Sequence, residues 1–432
     1  MIYQTKATLL LSLLLSINSG GIFSQNAHAQ SIINASSPTI TLTRKENNYT
    51  GIVQKLDDIA KQITVRIDNT DGSDNASGVI IAQQDNNYYV LTAKFALCVR
   101  SSATDCQVES KYQIVTPGGE SHNLEAQSVE IPAANIEMAI VKFTSDKAYS
   151  VATLADYQWT KQWVFTSGFS DKNNSDRPIL TAGKVFPSDE ADFIVKDAYS
   201  LKNGNELVYT NDSYAGMAGG AVLDSQGRLI GIHTGTEAEI NIDNEGNYNQ
   251  FNIGYSLGIP IKYLLNSLDK TSLQTGWLKT ENTVASNPSL SDEETIEQQL
   301  QKPTPPNQNS DISEYINYGN QLWRHGKYEE ATSAFETALK IDNNDDKIYY
   351  AMGLNFLAQN NYQQAATVLE KAINIQTKNY YYWQRLGQAY KELGEYEKAL
   401  TAYDRALENF DNSSDKISTY LRQEKEEILN KL

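Results

Sequence analysis

The residues that could do chemistry centre on one glycine-rich stretch, residues 216–224, which reads Gly-Met-Ala-Gly-Gly-Ala-Val-Leu-Asp. His233 follows this stretch at the end of an apolar run, and the other histidines outside the N-terminal leader are His122 and His325. Imidazole exchanges its proton near neutral pH, so a general base would be drawn from these three residues. His233 is the better candidate, although a histidine that ends a strand is more often a packing or hydrogen-bonding residue.

The glycine-rich stretch resembles the G-x-S-G-G loop of the chymotrypsin-like serine proteases, and Gly231-Ile232-His233 resembles the strand that returns after that loop. The resemblance covers about residues 52–268. It is greatest for bacterial trypsin-like domains of the cyanobacterial type that are joined to tetratricopeptide repeats. In this family the loop points two backbone N–H groups at the developing oxyanion. The resemblance assigns that role to Gly216 and Ala218.

The resemblance also assigns three catalytic positions. The family's serine falls on Ala218, its histidine falls on Phe95 at the end of Leu-Thr-Ala-Lys-Phe, and its acid falls on Glu137. Alanine offers no attacking oxygen and phenylalanine cannot take a proton. In a subtilisin-type triad, losing the serine or the histidine alone costs on the order of 10⁶ in turnover. We therefore expect no proteolysis.

Two further residues belong to the same region. Asp212 lies six residues before Ala218, where trypsin carries the acid that selects basic side chains, and with His233 it is a possible specificity pocket. The other interpretation of Asp212 is a turn residue. Ser213 is the nearby hydroxyl for a relocated triad. An active serine endopeptidase with such a triad, or an inactive copy of one, therefore remains the alternative to a peptide-binding cleft beside Phe95.

The elements that must position these residues are short. Between about residues 51 and 268, apolar or alternating runs are separated by turn signals such as Asp71-Gly72 and Pro117-Gly118-Gly119. Such spacing without intervening helices predicts an antiparallel sandwich or paired barrels. With the resemblance, this predicts an all-β double-barrel trypsin-like domain over residues 51–268.

The C-terminal part is repetitive. Gly319, Gly353 and Gly387 are 34 residues apart, and an alanine follows each of them twelve residues later. This pattern resembles the tetratricopeptide family and predicts an all-α helical-hairpin solenoid of three repeats over residues 312–410. Residues 411–432 are expected to form a capping helix, with a coiled-coil arm as the alternative.

Tetratricopeptide repeats present a concave groove to extended peptides or helices. The polar residues predicted for that groove are Asn355, Gln359, Gln388 and Lys391. Residues 269–311 are rich in prolines and amides towards their end and predict a linker that lets the two halves reorient. Proteins or peptides are therefore the expected partners.

The N-terminus predicts export. Lys6, an apolar run and Ala27-His28-Ala29 form a signal peptide over residues 1–29, followed by a mobile segment over residues 30–50. We expect a periplasmic or secreted protein without a transmembrane anchor. In an oxidising compartment Cys98 and Cys106 can pair, whereas a metal site or reactive thiol pair lacks nearby partners.

The charge balance excludes one class of partner. The formal net charge is −17, and no Lys/Arg face is available for phosphate, so nucleic acid is excluded. The sequence implies no cofactor and no metal, and it leaves the oligomeric state open. The function it predicts is an exported pseudoprotease, an adaptor that binds proteins or peptides through its repeats and its vestigial cleft.

Overall fold

The computed structural model describes residues 48–70, 75–98, 112–170, 177–188, 201, 203–242, 248–303, 305–307, 310–410 and 415–432. The predicted signal peptide, residues 1–29, lies outside the described residues, as does Cys106, so export and the bridge to Cys98 stay predictions. Residues 48–432 form one compact unit. Among the described residues, no helix has the length and apolar character that a membrane crossing needs.

The first part of the chain is a helix followed by an open half-barrel. Helix α1 (Gly51–Ile63) buries Val53, Leu56 and Ala60, one residue per turn of its apolar stripe, and runs directly into the first strand. The seven strands of the half-barrel are β1 (Thr64–Asn69), β2 (Asn75–Gln84), β3 (Asn87–Ala93), β4 (Tyr112–Val115), β5 (Ser121–Asn123), β6 (Val129–Glu130) and β7 (Met138–Thr144). Their order in the sheet is β5-β4-β1-β2-β3-β7-β6.

The second sheet closes on itself. Its strands are β8 (Thr153–Leu154), β9 (Gln162–Gly168), β10 (Ile179–Val185), β11 (Leu207–Tyr209), β12 (Ala221–Asp224), β13 (Leu229–Ile242), β14 (Tyr248–Pro260) and β15 (Lys279–Thr280). The order is β12-β9-β10-β11-β14-β13-β8-β15, and β12 also pairs with β13. That extra pairing joins six strands into a barrel. Val79 and Leu91 of the first sheet lie in one buried cluster with Phe165 and Leu223 of the second.

The repeats follow as antiparallel helix pairs. Their helices are α4 (Ile312–Arg324), α5 (Tyr328–Ile341), α6 (Asp346–Ala358), α7 (Tyr362–Ile375), α8 (Tyr380–Glu392) and α9 (Tyr396–Asn409), and α10 (Asp415–Leu429) comes after them. The periodic glycines allow the paired helices to approach, because a Cβ on Gly319 would lie 2.4 Å from the ring of Phe335. The predicted fold class, an all-β double-barrel domain followed by an all-α solenoid, is confirmed, with the first barrel present as a half-barrel.

The segment predicted as a linker, residues 269–311, differs from that expectation. After the short helix α2 (Lys262–Leu265), the segment contains helix α3 (Leu290–Leu300), called αL below. Ile296 of αL is fully buried. The Gln299 side chain accepts a hydrogen bond from Thr50 N (3.0 Å) and donates one to Thr50 Oγ1 (2.7 Å). Gln301 Nε2 donates to Ala182 O (3.2 Å). The segment is therefore packed against the β domain, because its few apolar residues find a surface that composition alone does not reveal.

A substitution pair on αL tests this packing. Ile296→Ala removes a buried side chain and is expected to lower the free energy of unfolding by about 2–5 kcal/mol. Leu290→Ala lies on the same helix at 83% exposure and is expected to change it by less than about 0.5 kcal/mol. Denaturant unfolding measures both. If both variants keep the unfolding midpoint of the native chain, the segment is a free linker.

Candidate functional site

Strand pairing brings two of the three predicted catalytic positions together. Strand β3 ends at Ala93, and the turn that follows it carries Lys94 and Phe95. Because β3 pairs antiparallel with β7, Glu137 lies directly before the partner strand, and Lys94 N donates to Glu137 O at 3.2 Å. The positions of Phe95 and Glu137 are thus neighbours at one end of the half-barrel.

The glycine-rich loop reaches the same place from the closed barrel. Ser77 N donates to Ala218 O at 2.8 Å. Gly219 has φ +85°, and a Cβ there would lie 2.1 Å from Ser77 O and 2.2 Å from Thr92 Oγ1. Only glycine fits such a contact. The loop therefore carries Ala218 to the junction of the two sheets, beside the end of β3.

The backbone of the loop is also held from the first sheet. Gly216 has φ +92°, and its carbonyl accepts a hydrogen bond from Ser77 Oγ at 2.8 Å. Within the described part of the chain, the N–H groups of Gly216 and Ala218 have no hydrogen-bond partner. Their assignment as oxyanion donors stays a prediction.

The position of the acid is occupied by an ion pair that sequence reasoning missed. Lys94 Nζ lies 3.7 Å from Glu137 Oε2 and donates to Ala134 O at 3.1 Å, and both charged side chains are largely buried. Glu137 Oε1 is buried without a hydrogen-bond partner among the described residues. The sequence feature that could have predicted this ion pair is Lys94, which occupies the variable position of the Leu-Thr-Ala-x-His pattern. Phe95 is 45% exposed, so much of its side chain faces solvent.

His233 makes a buried hydrogen-bond chain with Tyr209 and Ser213. Nδ1 lies 2.7 Å from the Tyr209 hydroxyl, and Nε2 lies 2.7 Å from Ser213 Oγ. Since the Tyr209 hydroxyl donates to Leu257 O (3.0 Å), the proton between Tyr209 and His233 comes from Nδ1–H, and Nε2 accepts from Ser213. Burial lowers the pKa of His233 to about 4, so the ring is neutral at pH 7.

Asp212 is not open to an external ligand. Its side chain is 6% exposed and its Oδ1 lies 3.4 Å from Arg324 Nη2 and 3.7 Å from His325 Nε2. Both partners come from the end of α4, in the first repeat. The predicted pocket of Asp212 and His233 is therefore divided, because Asp212 faces the repeats whereas His233 faces Ser213. Sequence reasoning missed Arg324, which lies 112 residues away in the chain.

Two of the four predicted groove residues hold helices together instead. Asn355 is fully buried and donates to Tyr328 O (3.2 Å) and Thr332 Oγ1 (2.8 Å) of the preceding repeat. Lys391 Nζ pairs with Glu424 (3.0 Å) and Glu427 (2.7 Å) of α10. Neighbouring helices cover these two faces, the preceding one at Asn355 and the last one at Lys391.

The other two groove residues, Gln359 and Gln388, are half-buried. Gln359 Nε2 donates to Asn355 O at 3.2 Å. Their part in binding stays a prediction.

A cavity of about 700 Å³ lies elsewhere on the β domain. Its walls come from α1, the segment 149–153, the turn 226–228 and the side chains of Trp277 and Lys279. It includes none of the predicted site residues. Among the described residues, no group of three or more His, Cys, Asp or Glu side chains could hold a metal ion.

Comparisons with known proteins agree with the two kinds of architecture. Residues 76–232 match the model of the trypsin-like peptidase domain, and residues 313–345 and 356–417 match models of the tetratricopeptide repeat. No curated protein matches the chain. The serine endoprotease from Yersinia pestis, a solved structure, is similar at 17% identity and a TM-score of 0.36. That match covers 51% of this chain and 66% of the other, slightly less than two thirds of its length.

The peptidase model matches the chain from β2 into β13, and the repeat models match most of the helix pairs. The chain therefore contains a trypsin-like peptidase domain followed by tetratricopeptide repeats.

Proposed function

We propose that this chain is an exported pseudoprotease whose peptidase domain does no proteolysis and whose repeats bind proteins. The observation that carries the proposal is the chemistry at three neighbouring positions. Ala218 presents a methyl group, Phe95 presents a phenyl ring, and Glu137 faces the ammonium group of Lys94 at 3.7 Å. The nucleophile and the base are replaced by groups that cannot perform their steps, and the acid position holds a glutamate that is paired with an ammonium ion.

The ion pair adds an argument that the missing serine and histidine do not supply. A triad carboxylate works by stabilising the imidazolium that forms beside it. A neighbouring ammonium ion competes for that carboxylate and disfavours a second cation close by. Lys94 and Glu137 thus form a pair suited to stability within a mostly buried site rather than to proton transfer.

Protein binding is the function that the repeats support. Repeats of this kind stack into a solenoid whose concave face receives extended or helical segments. Gln359 and Gln388 are half-buried and remain the proposed contacts, whereas Asn355 and Lys391 are engaged in the stack. The peptidase cleft contributes less than the sequence predicts, since Asp212 already faces Arg324.

Export rests on the leader. Lys6, the apolar run after it and the Ala27-His28-Ala29 site are the features of a cleaved signal peptide. We place the mature chain in the periplasm or outside the cell, where Cys98 and Cys106 can form a disulfide.

A second candidate function is hydrolysis by a relocated pair. The observation that favours it is the 2.7 Å contact between Ser213 Oγ and His233 Nε2. Basicity argues against it, because burial lowers the pKa of His233 to about 4 and a general base is most effective near the working pH. The Tyr209 hydroxyl lies beside His233 Nδ1, the position at which a triad has the carboxylate that stabilises the imidazolium.

Labelling with a fluorophosphonate separates the two functions. The reagent reports an activated serine, so the purified chain is expected to show no labelling above the heat-denatured control, and no cleavage of casein. Ser213→Ala is the matched variant. Labelling that disappears in Ser213→Ala would establish the relocated pair and overturn the pseudoprotease proposal.

Restoring the triad tests the role of Lys94. The variant Phe95→His/Glu137→Asp/Ala218→Ser replaces all three groups but keeps the ammonium beside the acid. Adding Lys94→Ala frees the carboxylate, and we expect peptide-ester turnover at least about tenfold higher than in the triple variant. The ratio of the two rates is the measurement. Equal turnover would show that Lys94 does not compete for the acid.

A further inference from the structure

The first repeat contacts the peptidase domain through the last turn of α4. Trp323 packs edge-on against Tyr255 of β14, with ring centroids 5.8 Å apart. Arg324 and His325 follow it and face Asp212, in the segment that precedes the glycine-rich loop. We call Asp212, Arg324 and His325 the latch. It joins residues of two domains that are distant in sequence.

Burial makes the charges of the latch interdependent. The side chains of Asp212 and Arg324 are 6% and 7% exposed, and Nη2 lies 3.4 Å from Oδ1. Taking one charge of such a pair away leaves the other buried and uncompensated, which costs more than removing both. The carboxylate therefore favours the docked position of the repeat only while the guanidinium is present.

His325 is the titratable member of the latch. Its side chain is 1% exposed, and neither ring nitrogen has a hydrogen-bond partner among the described residues. The charged groups around it are Asp212, Arg324 and Lys327, with the backbone of Thr210 nearby. Burial lowers the pKa of His325 most and the two cations lower it further, whereas Asp212 and the Thr210 backbone act in the opposite direction without reversing the shift.

We propose that the latch holds the first repeat against the peptidase domain at neutral pH and releases it on acidification, when His325 takes up a proton. The physical reason is linkage. The docked site disfavours the imidazolium, whereas an undocked, solvated His325 binds a proton at its ordinary pKa of about 6.5. Docking is therefore fully favoured above about pH 6.5 and weakens as the pH falls below it. The partner surface for the repeat is the Asp212 side of the peptidase domain, within the same chain.

The latch does not depend on whether the peptidase domain is active. Its charges lie outside the Phe95, Glu137 and Ala218 positions, so a labelled serine would leave it in place. The two proposals fail separately.

Hydrogen exchange measured by mass spectrometry tests the pairing at pH 7.5. Arg324→Met and Asp212→Asn each leave one charge buried, so amides of residues 210–215 and of the last turn of α4 are expected to exchange at least about tenfold faster. The double variant Asp212→Asn/Arg324→Met removes both charges and is expected to exchange more slowly than either single variant. Arg405→Met, in an exposed pair with Glu408, is the control and should change neither peptide.

Strand β9, whose residues are all buried, reports global unfolding in the same samples. If a single variant also exchanges faster in β9, it unfolds globally, and the pairing is then judged from the double variant. The double variant must exchange more slowly than that single variant. Unchanged exchange in both single variants, or additive loss of protection in the double variant, would overturn the pairing.

A substitution at His325 tests the pH dependence of the latch separately. Between pH 6.5 and 5.5, after correction for intrinsic exchange, opening of the interface peptides is expected to increase up to about tenfold in the native chain. His325→Gln cannot take up the proton, so its opening should be the same at both pH values. Equal pH dependence in the native chain and His325→Gln would overturn the acid release.

Discussion

The contact between Asp212 and Arg324 is the interaction on which the arrangement of the molecule depends. A buried carboxylate requires a compensating charge, and here that charge comes from the first repeat rather than from a ligand. The contact is reinforced by the packing of Trp323 on Tyr255 and by Gln301, the residue after αL, whose carbonyl accepts a hydrogen bond from Lys327. The first repeat therefore contacts the β domain through Arg324 and Trp323.

The glycine-rich loop is held by packing and backbone contacts that do not depend on the side chain at position 218. Gly219 is required by the close approach of Ser77 and Thr92, so its identity serves packing as much as catalysis. Ala218, by contrast, contributes a carbonyl to the junction of the sheets, and a methyl group in place of a hydroxyl leaves that hydrogen bond intact. Different atoms of the same loop therefore pack the sheets together and set the chemistry at position 218.

Much of the fold could be predicted from local patterns, whereas the site required three-dimensional contacts. The 34-residue spacing of Gly319, Gly353 and Gly387 predicts helix pairs directly, because each glycine and the large side chain that it contacts lie within one repeat. The pairing of Lys94 with Glu137 joins residues on different strands, and that of Asp212 with Arg324 joins different domains. No periodicity encodes such contacts. The burial of Ile296 was missed for the same reason, since its surroundings come from remote elements.

Small-angle X-ray scattering from the chain beginning at residue 30 measures most directly whether the two domains move as one body at neutral pH. The contacts of αL, Trp323 and Asp212 predict a scattering profile that a single rigid arrangement of residues 48–432 reproduces. A profile that requires two independently oriented domains, with a larger radius of gyration than the docked arrangement, would contradict the account.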